Sequence, residues 1–78
     1  MSKLPLMKAK GFAEILEKLG FEFKRQHGSH RFYEHTDGRT TVIPYHQGED
    51  LDRGLMNKII KHDLQMTTDE FLECCRKK

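Results

Sequence analysis

The sequence predicts an α+β domain in the order helix, three-stranded antiparallel sheet, helix, short helix, and two changes of period predict it. From Phe12 to Leu19 apolar side chains recur at helical spacing, from Phe21 they alternate with polar ones, and after Leu51 the helical spacing returns. Between Phe21 and Pro44 the strand-like runs are joined by short turns, which favours an antiparallel meander. The helices can then shield one sheet face and leave the other wet.

Taken in order, GFAEILEKLG places Phe12, Ile15, Leu16 and Leu19 at i, i+3, i+4 and i+7, one stripe of a helix over residues 10–19. Gly20 supplies its left-handed stop, and Glu14, Glu17 and Lys18 face solvent. Phe21 and Phe23 then alternate with Glu22 and Lys24, as in a strand with one buried face. HRFYEH, residues 30–35, reads as a second strand. Asp37-Gly38 is a strong hairpin signal, and the β-branched run TTVIP forms the third strand, ended by Pro44. YHQGED is a polar loop. Leu51, Leu55, Ile59 and Ile60, widened by Met56 and Leu64, predict a helix over residues 52–62. Thr67 to Glu70 has the Thr-x-x-Glu spacing of a capping box, so a final helix over 68–75 is expected to pack Phe71, Leu72 and Cys75. Phe12, Phe21, Phe23, Phe32 and Phe71 are assigned mostly to the core, and the loosely polar start, Met1 to Lys8, is expected to be disordered.

Residues 1–78 leave room for one small domain, because a core of this size covers only about 60–65% of the surface its unfolded chain exposes. Apolar residues are 36% and charged residues 33%, with five Phe and no Trp, so that core rests on Leu, Ile and Phe. Neither a long apolar run nor a leader pattern is present, which sets the expectation of a cytoplasmic chain with no membrane span. Cys74 and Cys75 are adjacent, cannot staple distant segments, and read as reduced thiols. The formal charge, 14 basic minus 12 acidic residues, is +2 and too small to announce nucleic-acid binding. Its distribution says more. Between Phe23 and Phe32 lie Lys24, Arg25, His27, His30 and Arg31 with no acid among them.

Inside that stretch stands Gly28-Ser29-His30, and the residues alone leave two readings open. In one, Gly28-Ser29 is an ordinary turn and His30 begins a strand. In the other, Gly28 allows backbone to approach a phosphate, and Ser29 holds a phosphate oxygen or orients the imidazole. His30 then moves a proton near neutral pH. Arg25, Arg31 and Lys24 are the candidates for gripping a phosphate. Alternation puts His30 on the side of Phe32 and Tyr33 on the opposite side, where the Tyr33 ring can stack on a base. His46, in the polar loop after Pro44, can approach the same site from the end of the third strand, and His27 can act on the phosphate. His35 and His62 read as surface residues. Lys8 and Lys10 either touch phosphates or decorate a solvated helix end. No metal or other cofactor is expected, since His27, His30 and His35 have no Cys or carboxylate at a ligand spacing and Cys74-Cys75 lack a companion pair.

The run LEKLGFEFKRQHGSHRFY, followed by VIPYH, RGLMNKIIK and DEFLE, resembles the HicA toxin family of small bacterial mRNA-cleaving proteins from about Ala9 to Leu72. The most specific piece is Gly-Ser-His one strand after a helix-ending Gly-Phe, supported by Pro-x-His at Pro44 and His46. The resemblance implies a fold like that of double-stranded-RNA-binding domains. It also implies the role of toxin in a type II toxin–antitoxin system, with metal-independent mRNA endoribonuclease activity that uses a single catalytic histidine, His30. Lys24, Arg25, His27, Gly28, Ser29, Arg31, Tyr33 and His46 are the RNA-binding candidates. The partner implied is a HicB-type antitoxin, expected to be a small acidic-surfaced protein that covers the Lys24 to Arg31 face, and the free toxin is expected to be a monomer. One departure stands out: where the family usually has Gly-Thr at the start of the second long helix this chain has Gly54-Leu55, which removes a hydroxyl cap. Two other readings stay open, a non-catalytic RNA-binding module of the same architecture and a protein-interaction domain that docks a partner on its sheet face or edge.

Overall fold

The computed structural model describes residues 4–46 and 48–76, and of Arg76 only the backbone. Helix α1 (Ala9–Lys18) buries Phe12, Ala13, Ile15 and Leu16 and stops at Leu19, after which Gly20 turns the chain with φ 99°. Glycine is required there twice over, because a Cβ at residue 20 would also lie 2.8 Å from His35 Nε2. Strands β1 (Phe21–His27), β2 (His30–His35) and β3 (Thr40–Pro44) follow as an antiparallel sheet in the order β1-β2-β3.

The register of the first hairpin decides which side chains face the helices. From its tip the pairs run His27 with His30, Gln26 with Arg31 and Arg25 with Phe32, but the next pair is Phe23 with Tyr33, so Lys24 is the extra residue of a β-bulge. Cross-strand partners share a face. Phe21 and Phe23 therefore stand with Tyr33 and His35, whereas Arg25 and His27 stand with Phe32 and His30 on the other side. An unbroken strand would have put all four of those β1 residues on one face. On the helix side Phe21, Tyr33, Thr41 and Ile43 are buried; on the open side His30 is exposed and Phe32, Val42 and Pro44 are half-buried.

This corrects four expectations. Tyr33 is only 1% exposed, so its ring is core and not a platform for a base. Phe32 belongs to the open face, not to the core. Phe23 is 45% exposed despite its helix-side position, because it lies on an edge strand with its ring set edge-on against Tyr33 at 5.8 Å. His35 is part-buried, not a surface residue. Its Nε2 donates to the Leu19 carbonyl at 3.1 Å, its Nδ1 accepts the Asp37 amide at 3.1 Å, and its ring meets Phe21 edge-on at 5.1 Å. It pins the end of α1 to the second hairpin.

Helix α2 (Arg53–Lys58) begins on the Asp52 carboxylate, which accepts the Leu55 amide at 3.1 Å and replaces the absent hydroxyl cap. It passes into a π-helical turn (Ile59–Asp63), closed by the Leu64 amide donating to the Ile59 carbonyl at 2.9 Å, so the helix expected over 52–62 has two geometries. The wider turn brings Ile59, Ile60 and Leu64 all into the core, while Asp63 accepts the Thr41 hydroxyl at 2.9 Å. Helix α3 (Thr68–Arg76) opens with the expected reciprocal box: Glu70 N–H donates to Thr67 Oγ1 at 3.1 Å and Thr67 N–H to Glu70 Oε1 at 2.9 Å. Phe71 then stacks on Phe12 at 5.3 Å. Of the polar start, Leu4 is buried and its carbonyl accepts Arg53 Nε at 2.9 Å, while Met1–Lys3 lie outside the described residues.

Candidate active site

Gly28 and Ser29 form a two-residue turn between β1 and β2. Gly28 has φ 57° and Ser29 does not share the positive φ, which is the pattern of a type II′ hairpin turn with glycine first. The tip is held from two sides. Gln26 Nε2 donates to the Gly28 carbonyl at 2.8 Å and its Oε1 accepts Arg31 Nε at 3.1 Å. The Ser29 carbonyl accepts the Tyr45 amide at 2.5 Å, tying the end of β3 to the turn. A Cβ built at Gly28 meets nothing within 4 Å, so backbone at the tip is open to approach.

Of the residues singled out in the sequence, the structure brings Arg25, His27 and His30 together on the open face. His30 and His27 are direct cross-strand partners, both exposed, and neither imidazole has a hydrogen-bond or ionic partner among the described residues. The Arg25 guanidinium lies over the Phe32 ring at 4.6 Å, which holds a cation beside the pair. Arg31 does not join them. It is on the helix side, its guanidinium 3.8 Å from the Tyr45 ring centroid and 5.0 Å from that of Phe23, where it braces the turn from behind.

Lys24 is also displaced from the cluster. Its Nζ is 4.0 Å from Glu22 Oε2, and it shares a recess with Glu22, Glu34 and His35, so a stretch free of acid in sequence is not free of acid in space. The open face is thus divided. Arg25, His27 and His30 mark the hairpin tip, and the cross-strand pair Glu22 and Glu34 marks the far end. His46 lies in a different recess of about 340 Å³, lined by Lys8, Lys10, Tyr45, His46 and Gly48 but not by His30. Its Nδ1 is 3.9 Å from Glu49 Oε2, and Lys8 Nζ is 3.7 Å from Asp50 Oδ1. That gathering was hidden in the sequence, because it depends on the loop before α2 folding back on the chain ahead of α1 through the Leu51 amide and the Met7 carbonyl.

Other reactive groups contribute less. Among the described residues no three His, Cys, Asp or Glu side chains cluster as metal ligands would. Cys74 and Cys75 are free and half-buried, and burial pushes the Cys75 thiol above its ordinary range, aided by its neighbour Cys74, the reverse of what an activated nucleophile requires.

With this geometry in place, a family model described as HicA toxin of bacterial toxin–antitoxin matches residues 9–63. The chain belongs to the HicA toxin family. The matched span runs from the first residue of α1 to the last of the π-helical turn, and so includes the whole sheet and the Gly28-Ser29-His30 turn. HicA proteins are the toxin halves of toxin–antitoxin pairs, which places an antitoxin among the partners of this HicA chain. Its helix, three-stranded antiparallel sheet and following helices are consistent with the double-stranded-RNA-binding-like fold of the family. No curated protein sequence matches it. Among the described residues no helix is long and apolar enough to cross a membrane.

Proposed function

We propose that this HicA chain is the toxin of a type II pair, a metal-independent mRNA endoribonuclease whose proton transfer centres on His30. The observation that carries the reading is His30 itself: exposed on the open sheet face, its imidazole without a hydrogen-bond partner among the described residues, beside a guanidinium held on Phe32. In an RNA strand the 2′-hydroxyl next to the scissile phosphate can serve as nucleophile, so the protein must supply proton transfer and a grip on the phosphate. Positioned acid–base catalysis contributes about 10² to 10⁴ in rate, or roughly 3 to 5 kcal/mol of barrier. The remainder falls to orientation and electrostatics, for which Arg25 and the open backbone at Gly28 and Ser29 are placed. Arg31 acts here by holding the turn through Gln26, and Tyr33 takes no part in RNA contact. His46, with Lys8 and Lys10, holds RNA beyond the scissile linkage. The cytoplasm, where mRNA is found, is the compartment of action, and a HicB-type antitoxin blocks the toxin by covering the open face at Arg25, His27 and His30.

Purified protein incubated with RNA in EDTA is expected to cut it, and His30→Ala to leave it intact while retaining the parent's thermal midpoint. Full cutting by that variant removes His30 from the chemistry. One observation favours a second reading: among the described residues no side chain orients the His30 ring, whereas a catalytic base is commonly held by a third group. A non-catalytic RNA-binding module would bind with steep salt dependence and return the RNA uncut. The same cleavage gel separates the two.

A further inference from the structure

We infer that His27 is a second catalytic residue, forming with His30 an acid–base pair across the hairpin. The inference rests on the nuclease reading above and deepens it. Breaking an RNA linkage through its 2′-hydroxyl needs two proton movements at opposite ends of the phosphorus. One group removes the hydroxyl proton as the O2′–P bond forms, and another protonates the 5′-oxygen as the P–O5′ bond breaks. A single imidazole can hold only one of those posts at a time.

The register supplies the second. His27 and His30 are the pair that flanks the two-residue turn, on the same face. Side chains in such a pair start about 4.5 to 5.5 Å apart at Cβ, which leaves room for a phosphate to be spanned by the two rings. Competing groups are accounted for. Lys24 is next to Glu22, Arg31 and Tyr33 are on the helix side, and His46 lines the recess with Lys8 and Lys10. The groups facing the pair are few: Arg25 from β1, Phe32 from β2, and Val42 and Pro44 from β3, with Glu22 and Glu34 at the far end of the ladder. Arg25 is therefore the charge that both rings and a bound phosphate share.

In the resulting step the neutral imidazole takes the 2′-hydroxyl proton and the protonated one donates to the 5′-oxygen. The products are a 2′,3′-cyclic phosphate end and a free 5′-hydroxyl end, and the two histidines finish with their protonation states exchanged. No further reactant is consumed.

The test is the pH profile of kcat/KM on an RNA oligonucleotide for the full chain, for His27→Gln and for His30→Ala, with thermal midpoints measured alongside. The His27 side chain is exposed and has no hydrogen-bond partner among the described residues, so the midpoint of His27→Gln is expected to hold. The parent is expected to give a bell-shaped profile. His27→Gln is expected to lose about 10²-fold or more and to lose one limb of the bell. On a substrate whose 5′-bridging oxygen is replaced by sulfur, the leaving group needs no proton, so the variant that lacks the acid recovers most of its rate while the variant that lacks the base does not. A His27→Gln enzyme with the parent's rate and both limbs overturns the pair and leaves His30 standing alone. A parent that leaves RNA intact overturns the nuclease reading and the pair with it.

Discussion

The two halves of β1 carry side chains at the same spacing and use them in opposite ways. Phe21 and Phe23 look toward the helices, and Arg25 and His27, continuing the same alternation, look away from them. The one difference is Lys24, the extra residue between them. A seven-residue strand can thereby close a core at one end and present imidazole and guanidinium at the other. The bulge does more to separate fold from candidate chemistry in this molecule than burial or charge does, since the residues on either side of it are one continuous pattern until the ladder slips.

Inserting an alanine between Phe32 and Tyr33, where it would pair with Lys24 and remove the slip, is the most severe way to break that comparison. Without the slip, either Phe21 leaves the helix side or Arg25 and His27 enter it, so the cost is that of losing a core phenylalanine or of burying a charge, at least about 3 to 5 kcal/mol. Against a typical stability of about 5 to 15 kcal/mol, urea denaturation is expected to show a chain close to unfolding. Next come the neighbours Tyr33 and Phe32, which sharpen the contrast between faces. Tyr33→Ala is expected to lose about 3 kcal/mol or more in the same assay. Phe32→Ala is expected to lose much less stability, together with the roughly 0.5 to 1 kcal/mol of its contact with Arg25, and to slow RNA cutting instead.

Smaller effects separate the turns at the two ends of β1. At Gly20, alanine meets both the unfavourable φ of 99° and the His35 ring 2.8 Å away, so a thermal melt should show a loss above the roughly 1 to 2 kcal/mol of the backbone term. At Gly28, with φ 57° and open space around it, only the backbone term applies. The smallest effect belongs to Asp37. The Arg39 amide donating to its carboxylate, with the Arg39 guanidinium 2.8 Å away, outweighs desolvation and holds it below the ordinary 3.8. A carboxyl depressed in the folded state stabilises above its unfolded value and loses that contribution as pH falls through the folded one. Asp37→Asn should therefore flatten the decline of stability below about pH 4, as followed by acid titration of the circular dichroism signal.

Much of the fold was legible because it is written in local periods. The helical stripe that ends at Gly20, the turn at Asp37-Gly38 and the Thr67–Glu70 box all depend on residues close in sequence. The bulge is different. Alternation through Phe21, Phe23, Arg25 and His27 continues across it without a mark, and Phe32-Tyr33 offers two adjacent aromatics of which period two alone cannot choose the inner. A signal did exist: a two-residue turn at Gly28-Ser29 would pair Phe23 with Glu34 in an unbroken ladder, an aromatic inside opposite a carboxylate. The π-helical turn leaves no such trace, since its apolar residues also fit an α-helix. For the candidate site, Gly28, Ser29, His30 and His27 could be found because the turn gathers neighbours. Arg31 could not be placed, because its partners Gln26 and Tyr45 are set by the register, and the recess around His46 joins Lys8 to Gly48, which are 40 residues apart.

The measurement that bears most directly on the account is an NMR titration of the chain with an RNA oligonucleotide carrying 2′-O-methyl groups, which binds but cannot be cut. Amide shifts are expected from Arg25 through Phe32 and at Val42, the open side of the sheet at the hairpin tip, with α3 and the π-helical turn unmoved. Shifts confined to those helical segments, with the tip silent, would contradict it.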